Sequence, residues 1–457
     1  MAPEKLLLAS LPTAVRDLAA LLQRAGGRVW LVGGPVRDGL RGEPIRDFDL
    51  ATDLEPHRVG ELLPSCDQRD VALGAARAVT PAGEVVITSL REESDYHDHR
   101  HPRRVVFVRE PARDAARRDF TVNALYLDLG NGELLDPSGG RRDLQAGVLR
   151  AIGQPRLRFE EDALRLLRLW RFHRRLGFQI EADSAAAARQ CAGLLAHLSA
   201  ERVYGELQRT FTGPGRGGSL QALVQLGLAS VILPEVAAMA GVTQPPQYHP
   251  EGDVLIHTDL VLGHVPADDP VLAWAAVLHD IGKPPTWRQA DDRIRFDGHD
   301  QLGTRMAEAV LQRLHAPREL QHAVLDLCRE HIRFAGLPGM RKQRRERFLR
   351  GPAFPQHLAF HRADCLGSHG NLSLYETLQA EWRALPALPE RWLTGADVLA
   401  LGVAEGPLVG QLLATAATAL EDHDQPSRAL ALALLRDLAA PFIKTFPDPV
   451  DKGRNRG

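Results

Sequence analysis

Two aspartates one residue apart, Asp47 and Asp49, open a stretch, FDLAT (48–52), that reads as a strand. Alternate strand residues share a face, so both carboxylates point one way. On an otherwise apolar strand they repel unless a cation sits between them. Oxygen-only ligands suit Mg2+, which also holds triphosphate oxygens. Two such ions can clamp an attacking hydroxyl and a leaving pyrophosphate. Upstream, LVGGPVRDGL (31–40) puts two glycines after a strand and before a short helix. Glycine lets the backbone at Gly34 approach a phosphate, helix N-terminal N–H groups favour anions, and Arg37 offers a fork for phosphate oxygens. Either feature alone is a common structural turn or strand end; together they specify phosphate chemistry.

RRDFTVNAL (117–125) follows, with Arg118 beside Asp119 as candidates for phosphate and ribose. DPSGGRRDL (136–144) reads as a turn and helix start. In EEDALRLLRLWRF (160–172), Asp162 and Arg165 are expected as i, i+3 neighbours on one helix, with Arg168 and Arg171 extending the spacing. Salt-bridge decoration is the plain reading of such a helix. Base chemistry gives a sharper one. Cytosine and adenine both place an exocyclic amino donor beside a ring-nitrogen acceptor, which a carboxylate and a guanidinium complement. Guanine and uracil reverse that order and leave both protein groups unpaired, a basis for strong discrimination.

A second constellation lies downstream. His279-Asp280 ends the apolar stretch LAWAAVLHDIGKP (272–284), with His257 upstream and Asp364 downstream. A His–Asp dyad at the end of a buried helix is costly without a partner. Imidazoles and carboxylates in the order H…HD…D suit a divalent metal whose bound water becomes a nucleophile. His299 and His331 are candidates for a second ion or a substrate phosphate.

The chain must supply elements that hold these groups. Its 457 residues, 44% hydrophobic and 25% charged, describe an ordinary globular protein of about three domains. Short apolar runs with turn signals alternate up to about residue 152 and predict an α/β domain. From 157 onward helical periodicity dominates, at 160–176, 184–198, 201–212, 219–232, 271–281, 302–315, 318–330 and 407–421. No run reaches membrane-span length, and LLLASL near the N-terminus is too short for a secretory signal. The four cysteines form no CxxC pair and are read as reduced thiols of a cytoplasmic protein. Net charge is −2, so any nucleic-acid surface must be local. Residues 141–216 carry fourteen arginines against eight acidic residues, and RKQRRERFLR (341–350) six basic against one acidic. The tail after 445 is expected to be loose.

LVGGPVRDGLRG, RDFDLAT, RRDFTVNAL, DPSGGRRDL and EDALRLLRLWRFHRRLGFQIE, in that order, resemble the bacterial tRNA nucleotidyltransferases, the CCA-adding enzymes of the group shared with bacterial poly(A) polymerases. The resemblance covers residues 30–181. It implies an α+β chain, with a polymerase-β-like head of mixed sheet and helices followed by a mostly helical neck, body and tail that hold tRNA. It implies Asp47 and Asp49 as Mg2+ ligands, and nucleotide contacts from Gly34, Arg37, Arg118, Asp162, Arg165, Arg168 and Arg171. The substrates implied are tRNA, CTP and ATP. Residues 89–108 resemble the family's flexible loop, associated with switching to A addition. Here it reads Asp98-His-Arg-His-Pro102, with His99 where glycine is usual, so retained A addition is expected.

The H…HD…D set resembles the HD phosphohydrolase superfamily. Several bacterial CCA-adding enzymes carry such a domain, which implies a divalent-metal site at His257, His279, Asp280 and Asp364 acting on 2′,3′-cyclic phosphates and 2′-phosphates. The expected organisation is a head at 1–152, a neck and body at 153–243, an HD domain at 244–375 and a helical tail at 376–457. CC-only or A-only addition, a poly(A) polymerase, an HD hydrolase with a vestigial head and a pure RNA-binding module are the competing readings.

Overall fold

VWLV becomes strand β1 (Val29–Val32), buried along its whole length. The chain then turns at Gly33, whose φ of 72° suits glycine, into the helix Gly34–Leu40. Strand β2 (Phe48–Thr52) runs antiparallel to β1, with Leu31 opposite Leu50. The computed structural model describes all residues except 1–2, 46, 67–70, 72–73, 97–101, 292, 386–391, 421–422, 424–426 and 443–457. The loop residues 98–101 and the tail after 445 therefore lie outside the described residues.

Strands β3 (Ala75–Thr80), β4 (Gly83–Ser89), β7 (Tyr126–Asp128) and β8 (Leu134–Leu135) complete a six-stranded mixed sheet in the order β3-β4-β2-β1-β7-β8. Within this sheet, among the described residues, only the β2–β4 pair is parallel. The period-two alternation sorts β2 cleanly. Phe48 and Leu50 face a core with Val15, Leu18 and Leu22 of helix Thr13–Arg24, while Ala51 faces a second cluster with Trp30 and Tyr126. Strands β5 (Arg91–Tyr96) and β6 (Pro102–Phe107) form a separate antiparallel hairpin.

The remainder is mostly helical, but the helix expected over 160–176 is broken. Helix Pro155–Glu161 stops, Asp162 is extended at φ −139°, and helix Leu164–Leu176 begins afresh. Asp162 Oδ1 accepts from Leu164 N at 3.1 Å, the local side-chain bond by which an aspartate competes with helix continuation. The stretch 219–232 is likewise split, into Ser219–Gln225 and Ala229–Ile232, across Gly227 at φ 72°.

The chain divides into two compact units, Met1–Ile332 with Ala359–Leu372 and Arg333–Leu358 with Ser373–Gly457. In the first unit one apolar core runs continuously from Phe120 and Phe159 to Phe360. Trp170, Phe211 and Trp274 meet edge to face in it at 5.9 and 5.2 Å. The indole N–H groups of Trp170 and Trp274 are satisfied, by Ser219 O at 2.7 Å and Gln208 Oε1 at 2.6 Å. The second unit has two smaller cores, around Phe334 and Phe354 and around Val398 and Leu435. Cys66, Cys191, Cys328 and Cys365 are buried and unbridged. Among the described residues no single helix is long and apolar enough to cross a membrane.

Candidate active sites

In the head, Phe48 is buried beneath the sheet while Asp47 is exposed and Asp49 half-buried. Burial holds the Asp49 carboxyl above its ordinary range and Asp47 pushes it further, against the pull of Arg118 and Arg168. A half-buried carboxylate at Asp49 whose charged form is disfavoured until a cation arrives, with a second carboxylate beside it, fits a divalent ion held by oxygens.

The basic residues around this pair are engaged with protein partners. Arg37 does not present the open fork expected of it. Its guanidinium is 1% exposed, clamps both oxygens of Asp38 at 2.7 and 2.9 Å, and reaches Asn123 Oδ1 at 2.6 Å. A phosphate contact by Arg37 requires exchanging one of these bonds; its Nη2 lies 3.8 Å from where a Cβ on Gly34 would stand. Arg118 donates to Asp114 Oδ2 at 3.1 Å and Tyr126 Oη at 2.8 Å, and packs against Gly33. Asp119 is 7% exposed and spends its oxygens on Phe120 N, Asn123 and Arg168, so it orients Arg168 rather than facing a ribose. Burial opposes its charge, but Arg168 and Asn123 bring its carboxyl down to about 2.

Asp162 and Arg165 are not mounted as neighbours on one helix. Asp162 sits in the break and accepts from Arg202 Nη2 at 3.0 Å. Arg165 turns back to Glu161 Oε2 at 2.7 Å and to the carbonyls of Arg158 and Arg117 at 2.9 and 2.6 Å. Arg171 pairs with Glu206 at 2.6 Å. The ring of Phe172 lies under three guanidinia, those of Arg37, Arg168 and Arg171, at 5.2, 5.3 and 4.3 Å. DPSGGRRDL is a structural corner: Asp136 accepts from Gly140 N and Arg141 N, and a Cβ on Gly140 would stand 2.1 Å from Thr121 O.

The second constellation assembles tightly. His257, on helix Val254–His264, and Asp364, on helix Phe354–Gly367, meet at 3.1 Å. His279 Nε2 is 3.4 Å from His257 Nε2 and 3.3 Å from Asp280 Oδ2. His299 and His331 join on the other side, each with Nε2 3.8 Å from Asp280 Oδ1. His257, His279 and Asp364 form one group able to hold an ion; Asp280, His299 and His331 form another. The Nδ1 atoms of His279, His299 and His331 bond to the carbonyls of Ala276, Phe296 and Cys328, at 2.9, 2.8 and 2.7 Å. That fixes each ring with Nε2 turned inward, the orientation metal-ligating histidines take. Burial and the adjacent His279 bring His331 down to about 4, which keeps it neutral.

Asp280 is the residue most in need of a metal. Both its oxygens are buried without a well-formed hydrogen bond, although Lys283 Nζ stands 2.7 Å from Oδ2. Burial works against its charge, yet His279, Lys283 and His257 hold its carboxyl well below the usual range. The close packing needs Gly282, where a Cβ would stand 2.2 Å from His299 O.

Sequence reasoning missed the groups that aim these side chains. Asp114 is 1% exposed and holds Arg117, Arg118 and Tyr126. Glu251 accepts from Nδ1 of both His249 and His257 at 2.9 Å. Burial opposes its charge, but these two bonds bring Glu251 down to about 2. The run His249-Pro-Glu251 just ahead of His257 was the available signal.

Fold and sites together define a nucleotidyltransferase-type head joined to a divalent-metal centre of His and Asp in a helical body. Three family models match in chain order: "Poly A polymerase head domain" over 29–150, "Probable RNA and SrmB-binding site of polymerase A" over 177–239 and "HD domain" over 253–351. The multifunctional CCA protein of Xanthomonas euvesicatoria pv. vesicatoria (strain 85-10) is 33% identical over 416 residues, 85% of this chain and 97% of that protein. The CCA-adding enzyme of Lacticaseibacillus paracasei (strain ATCC 334) is 32% identical over 86% of this chain and 87% of its own. The crystal structure of Bacillus stearothermophilus CCA-adding enzyme in complex with CTP shares the fold, with a TM-score of 0.68 at 24% identity over 94% of this chain and 97% of that one. So does the Thermotoga maritima CCA-adding enzyme complexed with tRNA, with a TM-score of 0.58 at 18% identity over 95% and 98%. The chain belongs to the CCA-adding enzyme family and carries an HD domain.

Proposed function

We propose that this chain is a template-independent tRNA nucleotidyltransferase that adds CCA, or its terminal A, to tRNA 3′ ends from CTP and ATP with Mg2+. The observation that carries the reading is the Asp47–Asp49 pair, set at a strand end within the charge of Arg118 and of Arg168 from the neck. Bound Mg2+ would supply the positive charge that clamps a triphosphate and its leaving pyrophosphate. The protein's part is positioning. The tRNA terminal hydroxyl attacks the α-phosphate; Gly34, Arg37 and Arg118 bind the triphosphate side, with Asp119 orienting Arg168. Asp162 and Arg165 read the base, Arg165 exchanging its carbonyl partners to do so, and Arg168 and Arg171 add nucleotide contacts from the same helix.

The test is to offer tRNAs ending before CCA, after C and after CC, with labelled CTP or ATP separately. C on the first two and A on the third is expected; A on the third alone marks an A-adding enzyme. C without A marks a CC-adding enzyme, and runs of A on generic RNA mark a poly(A) polymerase.

The HD domain is a metal-dependent phosphohydrolase of 2′,3′-cyclic phosphates and 2′-phosphates. Asp280, between two groups of ligands, supports two ions. A cyclic phosphate leaves a tRNA with no free 3′-hydroxyl, so this activity restores an extendable end. Release of no phosphate product from 2′,3′-cyclic AMP with Mg2+, Mn2+, Ni2+ or Co2+ would remove it. The division at 152, 243 and 375 and a cytoplasmic location go with this reading.

A further inference from the structure

Exposed large apolar side chains gather on the elements that carry the HD ligands. Tyr248 precedes His249, Ile256 precedes His257 and Ile332 follows His331; all are exposed. Trp287, four residues beyond Lys283, is 43% exposed. Trp30, Trp170 and Trp274 are by contrast buried in cores.

Trp287 is exposed yet firmly held. Its Nε1 donates to Thr243 O at 3.2 Å. Thr243 is bridged to Asp253, the residue that caps helix Val254–His264 and so places His257. Gln244, next to Thr243, accepts from Lys283 Nζ at 2.6 Å, and the same ammonium stands 2.7 Å from Asp280 Oδ2. The indole is thereby tied to both the loop and the short helix that flank the metal ligands, with its polar atom satisfied and its ring partly in solvent. A fixed aromatic face beside a phosphate-handling centre complements a nucleobase, since every base presents a π-face.

We propose that Trp287 is the base-stacking subsite of the HD centre, with Tyr248 on the adjoining loop as its second wall, and that the substrate is a nucleotide or RNA end bearing a terminal base. This rests on the hydrolase reading above. Water adds to phosphorus at the cyclic ester, one ring P–O bond breaks, and the released ribose oxygen takes up the proton given by the water. Stacking fixes the ribose end while that bond is broken.

The experiment compares the full-length protein with Trp287→Ala and Trp287→Phe on two cyclic esters, 2′,3′-cyclic AMP and the base-free glycerol 1,2-cyclic phosphate. Trp287→Ala is expected to raise KM for 2′,3′-cyclic AMP about tenfold, within the range of one lost base stack. It leaves KM for glycerol cyclic phosphate and CCA addition unchanged, and Trp287→Phe restores most of the loss. Equal loss on both esters, or no loss on either, overturns the subsite. Quenching of tryptophan fluorescence by 2′-AMP in chelator-treated protein gives a readout independent of turnover. Quenching lost in Trp287→Ala supports the subsite; no quenching in the parent protein, or quenching unchanged in the variant, overturns it. Should the parent protein hydrolyse neither ester, the hydrolase reading falls and the quenching alone decides the subsite.

Discussion

The two candidate centres solve opposite problems. In the HD domain, six side chains from five stretches of the chain already converge, with ring nitrogens turned inward by carbonyls and a buried Asp280 between two groups of ligands. The head offers two carboxylates at a strand end, one of them exposed, and its arginines are held by Asp38, Asp114, Asp119 and Glu206. A centre built from many buried ligands can hold its ion without substrate. A centre with two carboxylates needs the triphosphate's own oxygens to complete the shell. On the proposed reading, one chain keeps a resident-metal site and a substrate-completed site apart, and each should fail separately.

The sharpest break is at Asp49. Asp49→Ala should lower nucleotide incorporation roughly a thousandfold, since loss of several kcal/mol of charge stabilisation costs that much. Hydrolysis of 2′,3′-cyclic AMP by the same variant should be unchanged; unchanged incorporation would refute the metal assignment. Asp280→Asn is the mirror image. It should remove most metal from the purified protein and reduce hydrolysis on the order of a hundredfold, with incorporation intact. Metal content by elemental analysis and the two assays on one preparation check both.

Glu251→Gln should weaken metal binding about tenfold to a hundredfold, the usual cost of losing a carboxylate behind a ligating histidine. Calorimetric titration with Mn2+ reads it, and circular dichroism should show the fold retained. A pH series sharpens the same point. Burial opposes charge on His257, but Asp364 and Glu251 push it up to about 9. A ligating imidazole must be neutral, so below about pH 9 metal binding displaces a proton. Affinity should therefore rise with pH, roughly tenfold per unit from neutrality, and level off above. Affinity independent of pH would contradict this placement of His257.

The smallest effect is on stability. Asp119 titrates at about 2 in the folded protein, below its unfolded value near 4. Its stabilisation is present above about pH 4 and is lost as pH falls toward 2. It is on the order of 2 kcal/mol, an upper figure because Arg168 remains partly in solvent. Urea unfolding of Asp119→Asn should show the full deficit at pH 7, roughly half of it at about pH 3, and almost none at about pH 1.

Much of this was legible in the sequence where it depended on local period or spacing. The alternation in Asp47-Phe48-Asp49 shows Phe48 going inward, and His257, His279-Asp280 and Asp364 do converge. The helix through Asp162 did not survive, because a side-chain bond to Leu164 N overrides the period there. What the sequence hid were distant partners. Arg37 finds Asn123 across 86 positions and Arg168 finds Asp119 across 49. Arginine spacing reveals basic residues; only folding tells which carboxylate holds each one.

Manganese paramagnetic resonance on a single titration tests the contrast between the centres most directly. The parent protein should bind Mn2+ without nucleotide, and Asp280→Asn should lose that binding. Adding CTP should create further bound Mn2+ that Asp49→Ala fails to show. Nucleotide-dependent Mn2+ binding that persists undiminished in Asp49→Ala would contradict the account.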